Sequence, residues 1–562
     1  MQFLNNIYQR PIYSQDPKTC KYQETQKDFL ITIYRDRATG KKHLERIIEP
    51  RYTFYVANSN LTYHHNLYPI DKCSSVTCKF KDLKKKIMEI AGEEDDFYEY
   101  KRRGNTAAIN KRILQYHWLF SSDMDINDYG KKEFLTKHPP ESSDIITKGF
   151  FDIEVDSSMI QGFPEEDEAK CPVNAISYIY QPENKLVEFL LDYSDSKNEV
   201  IKKATKDFKS NLKNYIKSQE ELYDNKYHIE IKFFKDEVDL IGSFLNMVNE
   251  DQPDFLGAWN IKYDFNYLKN RLQNLRENPK DYFCHSDFKP NERILYYYED
   301  KLKFTPKERG DYIMCSSYTQ WIDQQSIYFQ IRSGQGELES NALNFVAELE
   351  LKDNKIDYTE VADIKTFCYD NYELFVTYSL KDTILLEKLE EKNKDIDLMY
   401  NLSIVTQTRF HKTLKKTISI KNLAWKYYYD NGFIMGNNIN ANNGDDEDDD
   451  KPKEKFSGAF VLDPNNNLHM GKYVFGKRSK FIFDDVIDLD LASLYPSIFR
   501  AFNIDATTQY GRLLFKDSPP TKEYDAGGMF VNDMETQDYI AIGSKWFMLP
   551  TTNEILTKLE NK

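Results

Sequence analysis

The chain is poor in three things, and each absence narrows what it can be. No apolar run approaches the 18 or so residues of a membrane span, and Met1 to Pro11 has no basic region leading into an apolar one, so neither secretion nor membrane insertion is expected. The seven cysteines (Cys20, Cys73, Cys78, Cys171, Cys284, Cys315, Cys368) are odd in number and scattered, which predicts free thiols in a reducing cytoplasm rather than a disulfide framework. Positive charge is in deficit: 76 Lys and Arg against 91 Asp and Glu give a net charge of −15, and by total charge alone that disfavours a nucleic-acid partner. Its distribution qualifies the total. From Arg409 to Lys426 there are six basic residues and no acid, interleaved with Phe410 and Trp425. Such a stretch suits either a phosphate backbone or a solvated basic helix face.

What is present is ample apolar material. Of 562 residues 40% are hydrophobic and 14% aromatic, enough for several globular domains. Residues 1–145 mix short β-type runs, Phe29 to Tyr34 and Tyr52 to Val56, with a charged helical stretch from Leu83 to Gly92, and read as a β-rich N-terminal domain. Residues 146–395 alternate strand, loop and amphipathic helix in an α/β pattern, and 396–436 read as a helical connection. Residues 437–455, with an unbroken acidic run from Asp445 to Asp450, read as a disordered insertion. Residues 456–562 form a last segment, in which Lys480 to Leu489 is an apolar strand candidate. No internal repeat is present.

The first chemical signal is Phe150-Phe151-Asp152-Ile153-Glu154-Val155. Strand alternation puts Asp152 and Glu154 on one face, roughly 6.6 Å apart along the backbone. Two acids ringed by apolar residues repel each other and lose hydration unless a cation lies between them. The second signal, Asp254 to Ala258, reads as a strand that ends in a turn and helix carrying Asn260 and Asp264. In the third, Tyr378 and Asp382 stand at i and i+4 and share a helical face.

In order and spacing, Asp152-x-Glu154, Asn260-x2-Tyr263-Asp264 and Tyr378-x3-Asp382 resemble the three exonuclease motifs of family B DNA polymerases, of the tyrosine-containing DEDD type. Gly162-Phe163-Pro164 through Ala175-Ile176 is similar to the stretch that follows the first motif in polymerases of tailed bacteriophages. The resemblance implies a ribonuclease H-like exonuclease domain. In it Asp152, Glu154, Asp264 and Asp382 hold two Mg2+ ions, with Mn2+ as the substitute, about 3.5 to 4 Å apart. Tyr378 orients the attacking water, and Asn260 contacts the frayed 3′ end.

A second motif, Asp488-Leu489-Asp490-Leu491-Ala492-Ser493-Leu494-Tyr495-Pro496-Ser497-Ile498, resembles motif A of the polymerase palm. By that resemblance Asp490 and the Leu491 carbonyl ligate catalytic metal, Ser493 and Leu494 amides hold the triphosphate, and Tyr495 stacks beneath the sugar. Asp488 has no matching role and is taken as structural. Phe456-Ser457-Gly458-Ala459 stands where the family has a Tyr-x-Gly element that partitions template, with Phe in place of Tyr.

The family draws further carboxylates from an Asp-Thr-Asp hairpin, which does not occur after Asp490, and Asp533-Met534-Glu535 is a poor substitute in its polar setting. Neither a fingers signature nor a thumb is recognisable. The expectation is therefore an α/β multidomain protein ending in a partial palm, one half of a split family B polymerase completed by a second polypeptide with fingers, motif C and thumb. Its partners would be primer-template and single-stranded DNA, dNTP once assembled, and a sliding clamp, in a bacterial host's cytoplasm if phage-encoded. The rivals are a stand-alone exonuclease with a vestigial palm and a non-catalytic scaffold binding DNA or replisome proteins.

Overall fold

A six-stranded mixed sheet organises the part of the molecule that carries the carboxylate motifs. The computed structural model describes residues 1–437, apart from 16–21, 159, 161, 301–304, 335–337 and 357–366, and beyond them the short strands Leu514–Lys516, Tyr539–Ile542 and Lys545–Met548. The chain divides into two compact units, Met1–Glu447 and Asp448–Lys562. In the second, the three short strands form an antiparallel sheet with Lys545–Met548 in the middle. The palm-like residues Gly458, Asp488, Asp490, Leu491, Ser493, Leu494 and Tyr495 lie outside the described residues, as does the acidic run.

Within the first unit the expected strands form: Phe29–Arg35 pairs with Gln2–Gln9 and Lys42–Ile48, and Arg51–Ala57 with Cys73–Lys79 and Leu119–Phe120. The expected helical stretch is the helix Leu83–Ile90. The region contains more helix than its β-type runs announce, since Glu94–Arg102, Thr106–Ile113 and Ile126–Lys137 are also helical. Local polar chemistry starts two of them: the Asn105 side chain accepts from the Ala108 amide and that of Asp125 from the Asn127 amide, satisfying N–H groups that a first turn leaves open.

The central sheet contains β1 (Lys148–Val155), β2 (Val173–Tyr180), β3 (Lys185–Leu191), β4 (His228–Phe234), β5 (Phe255–Ala258) and β6 (Gln320–Asp323). Their order is β4-β3-β2-β1-β5-β6. The β1/β2 and β2/β3 pairs are antiparallel; β3/β4, β1/β5 and β5/β6 are parallel. One face is dry: Phe151, Ile153, Ile176, Tyr178, Val187 and Phe189 pack on Leu240, Phe244 and Phe265 from the helices α1 (Glu237–Asp251) and α2 (Ile261–Asn274). The other face is covered by α3 (Tyr372–Asn393), where Ala175, Ile179, Leu186 and Leu190 meet Val376, Leu380 and Ile384.

Buried ions fix how these layers sit. Lys148, in β1, reaches Glu390 at 2.7 Å and Asp397 at 2.7 Å, pinning the end of α3 to the start of β1. Asp254 accepts from Arg35 at 2.7 Å and Lys42 at 2.7 Å, tying the N-terminal strands to the entry of β5. Either pair would be costly to break from one side, because an uncompensated buried charge remains. Among the described residues no helix is long and apolar enough to cross a membrane, and the six described cysteines are free thiols.

Candidate active site

Because side chains alternate along a strand, Phe151 and Ile153 enter the dry core while Asp152 and Glu154 face α3. Tyr378 and Asp382 share the face of α3 that looks back at them, and both are buried. The helix is started by Asn371, whose side chain accepts from the Leu374 amide at 3.1 Å. One carboxylate oxygen each from Asp152, Glu154 and Asp382 lies within 4.8 Å of the other two. Strand β5 delivers the remaining acid: it ends at Ala258, Asn260 takes the exposed position before α2, and Asp264 falls in that helix's buried first turn.

Thus three of the four expected ligands form a tight triplet. Asp264 stands outside it yet close enough for Asp152 to act on it electrostatically. Asn260 makes no side-chain cap to α2 and is open to solvent.

Burial raises all four acids, and repulsion from neighbouring carboxylates adds to it for Asp152, Glu154 and Asp264. Burial, reinforced by the charge of Asp382, pushes Asp152 up to about 7. Glu154 is raised well above the usual carboxylate range by burial and by Asp152 and Asp382. Asp264 is raised likewise by burial and then Asp152. For Asp382 burial raises the value while Lys355 works against it. A group of acids held this way gains from any cation that enters.

Lys355 was not visible in the sequence. Its ammonium donates to Asp382 Oδ2 and, at 3.2 Å, to the Tyr378 hydroxyl. It sits in a polar loop after the Leu343–Leu351 helix, with no motif or periodicity to mark it; only the fold brings it to the carboxylates. The other oxygen of Asp382, Oδ1, is buried with no hydrogen-bond partner. A second omission is Glu188, a fully buried acid on β3 in the row that contains Asp152.

The basic stretch from Arg409 to Lys426 is partly neutralised. Arg409 pairs with Asp125 at 2.8 Å, Lys421 with Asp123 at 2.7 Å and Lys426 with Asp430 at 2.5 Å.

Oxygen-only donors, clustered acids with raised titration and an orphaned buried carboxylate oxygen fit hard divalent ions such as Mg2+. Comparison with known proteins agrees with this chemistry. Residues 109–317 match the family model described as DNA polymerase family B, exonuclease domain, a stretch that includes Asp152, Glu154, Asn260 and Asp264 and stops short of Tyr378 and Asp382. The chain is 23% identical over 373 residues to the DNA-directed DNA polymerase of Escherichia phage RB69, covering 66% of this chain and 36% of that protein. It is 24% identical over 296 residues to the DNA-directed DNA polymerase of Enterobacteria phage T4, covering 52% and 28%. With the DNA polymerase delta catalytic subunit of Drosophila melanogaster it shares 26% identity over 277 residues, 48% and 23% of the two chains. The chain therefore spans about a third or less of the length of these relatives. Residues 109–317 are thus similar to the exonuclease domain of family B DNA polymerases.

Proposed function

We propose that the chain is a two-metal 3′→5′ DNA exonuclease of ribonuclease H-like type within the N-terminal portion of a family B DNA-directed DNA polymerase. The observation that carries this reading is the meeting of Asp152, Glu154 and Asp382 within 4.8 Å, on elements that also bring Asp264 and Tyr378 alongside.

Asp152, Glu154, Asp264 and Asp382 would hold two divalent ions, which supply Lewis-acid stabilisation of a phosphodiester and lower the pKa of a water. The protein's own groups do the rest. Tyr378, hydrogen-bonded to Lys355 at 3.2 Å, presents its hydroxyl to orient the attacking water. Lys355 keeps positive charge at Asp382, where negative charge would otherwise accumulate. Asn260, exposed at the mouth, meets the 3′-terminal nucleotide. Phe163, largely exposed and 5.3 Å from the Tyr263 ring, offers a face on which a frayed base stacks. The product is a nucleoside 5′-monophosphate.

Polymerisation rests on the motif containing Asp490, Leu491, Ser493, Leu494 and Tyr495, with Gly458 upstream. It needs further carboxylates and a fingers element that these 562 residues do not display. A sliding clamp would join the polymerase on primer-template DNA.

The test is digestion of a 5′-labelled single strand and of a mispaired primer by the purified chain, with Mg2+ and then with EDTA, with dNTPs in parallel. Shortening that needs Mg2+ supports the exonuclease. DNA binding indifferent to metal, with no nucleotide released, supports the scaffold reading instead. Extension of the primer would show that the chain also polymerises.

A further inference from the structure

The helix that carries Tyr378 and Asp382 runs across the strand that carries Asp152 and Glu154, and polar side chains join the two at both ends. At the start of β1, Lys148 reaches Glu390 near the end of α3 at 2.7 Å. At the finish of β1 the joint is made by Asp156, the residue after Val155, which is 8% exposed. Its Oδ2 accepts from the Tyr369 hydroxyl at 2.5 Å and from the Tyr193 hydroxyl at 3.3 Å. Its Oδ1 accepts from the Ser158 hydroxyl at 2.6 Å and from the Ser158 amide at 3.2 Å. Four donors thus converge on a carboxylate that the proposed mechanism does not use. The Asp156 amide in turn donates to the Pro172 carbonyl at 2.9 Å, which holds the residue itself beside the entry of β2.

Tyr369 belongs to the short helix Phe367–Asp370, and Asn371, whose side chain starts α3, follows two positions later. The Asp156–Tyr369 bond therefore sits at the N-terminal end of α3 and the Lys148–Glu390 pair near the other, with Tyr378 and Asp382 between them. Bonds to an ionised carboxylate are among the stronger and shorter hydrogen bonds. Released from Asp156, the helix can tilt about the far pair, and a shift of about 0.5 Å already degrades a constellation of ligands.

We propose that Asp156 is a positioning residue: by holding Tyr369 it fixes the height of α3 over β1, and with it the distance of Asp382 from Asp152 and Glu154. This rests on the metal-site reading of those acids.

The experiment is titration calorimetry of Mn2+ into the full chain, with thermal unfolding of the metal-free protein alongside. Tyr369→Phe deletes one hydroxyl and keeps the ring, so folding is not at risk. It should weaken Mn2+ binding about tenfold, as loss of outer hydrogen-bond partners does elsewhere, with metal-free Tm close to that of the wild type. Asp156→Ala should weaken binding at least as much. The double variant should be no weaker than Asp156→Ala alone, because the two changes cut one contact. Asp156→Asn keeps a hydrogen bond to Tyr369 and should restore most of the affinity. Tyr193→Phe, which cuts a bond to the turn after β3 and not to α3, should leave Mn2+ binding unchanged. Wild-type Mn2+ affinity in Tyr369→Phe and Asp156→Ala overturns the proposal, and so does an equal loss in Tyr193→Phe, which would mark general loosening. A wild type that binds no Mn2+ would overturn the metal-site reading, and the role of Asp156 with it.

Discussion

The two faces of the central sheet are made by the same strands, and both pack apolar side chains, but one of them also carries the carboxylates. On one, Phe151, Ile153, Ile176, Tyr178, Val187 and Phe189 interlock with α1 and α2. On the other, the alternate residues include Asp152, Glu154, Ser177 and Glu188. The dry face holds the strands in place, and that rigidity lets the polar face keep repelling carboxylates within 4.8 Å. A period of two therefore does more than separate inside from outside: here both faces are covered, and alternation separates a packing surface from a reactive one.

The comparison breaks most sharply under substitution. Asp152→Ala with Glu154→Ala should abolish nucleotide release, a loss of more than about 100-fold, since misplacing catalytic groups by an ångström already costs that much. Metal-free Tm should hold or rise, because two repelling buried acids are gone. Residual digestion at the wild-type rate would sink the assignment. On the opposite face Phe151→Ala, at a fully buried ring, should cost about 3–5 kcal/mol in urea unfolding; a loss below 1 kcal/mol would mean that the core re-closes around the gap.

Lys355→Met tests the cation the fold places among the acids. One-sided loss of a buried pair costs about 3 kcal/mol, lessened by the partial exposure of Lys355, with 26% of its side chain accessible. Added Mg2+ should restore more of the Tm than it adds to wild type; equal Mg2+ responses would show that Lys355 does not compensate these carboxylates. A smaller effect is expected with pH. Asp152 is raised to about 7 in the folded protein, against about 3.9 in an unfolded chain. The folded state then holds the proton more tightly, so this contribution is complete below about pH 4 and is lost as pH climbs through about 7. Metal-free Tm should fall across that interval, and Asp152→Asn should reduce the fall. An identical slope in the variant would assign it to other groups.

Legibility differed between the local and the assembled parts of the site. The strand bearing Asp152 and Glu154, the strand-to-helix turn before Asp264 and the helix bearing Tyr378 and Asp382 could each be read from period and punctuation, because backbone geometry fixes which residues share a face. The helices from Glu94 to Ile113 were not anticipated, since charged segments of eight or nine residues carry weak periodicity. The basic run from Arg409 offered no sign that Asp123 and Asp125, almost 300 positions earlier, would neutralise two of its charges.

What the sequence determined by itself is the chemistry: which acids, at which spacing, on strand or helix. Local rules of alternation and helical repeat suffice for that. Only the tertiary structure decided that Lys355 enters among the carboxylates, that Asp264 stands outside the tight triplet, and that Glu188 lies in line with Asp152 across two strands. Those relations depend on strand order and register, which long-range packing sets and no local pattern encodes.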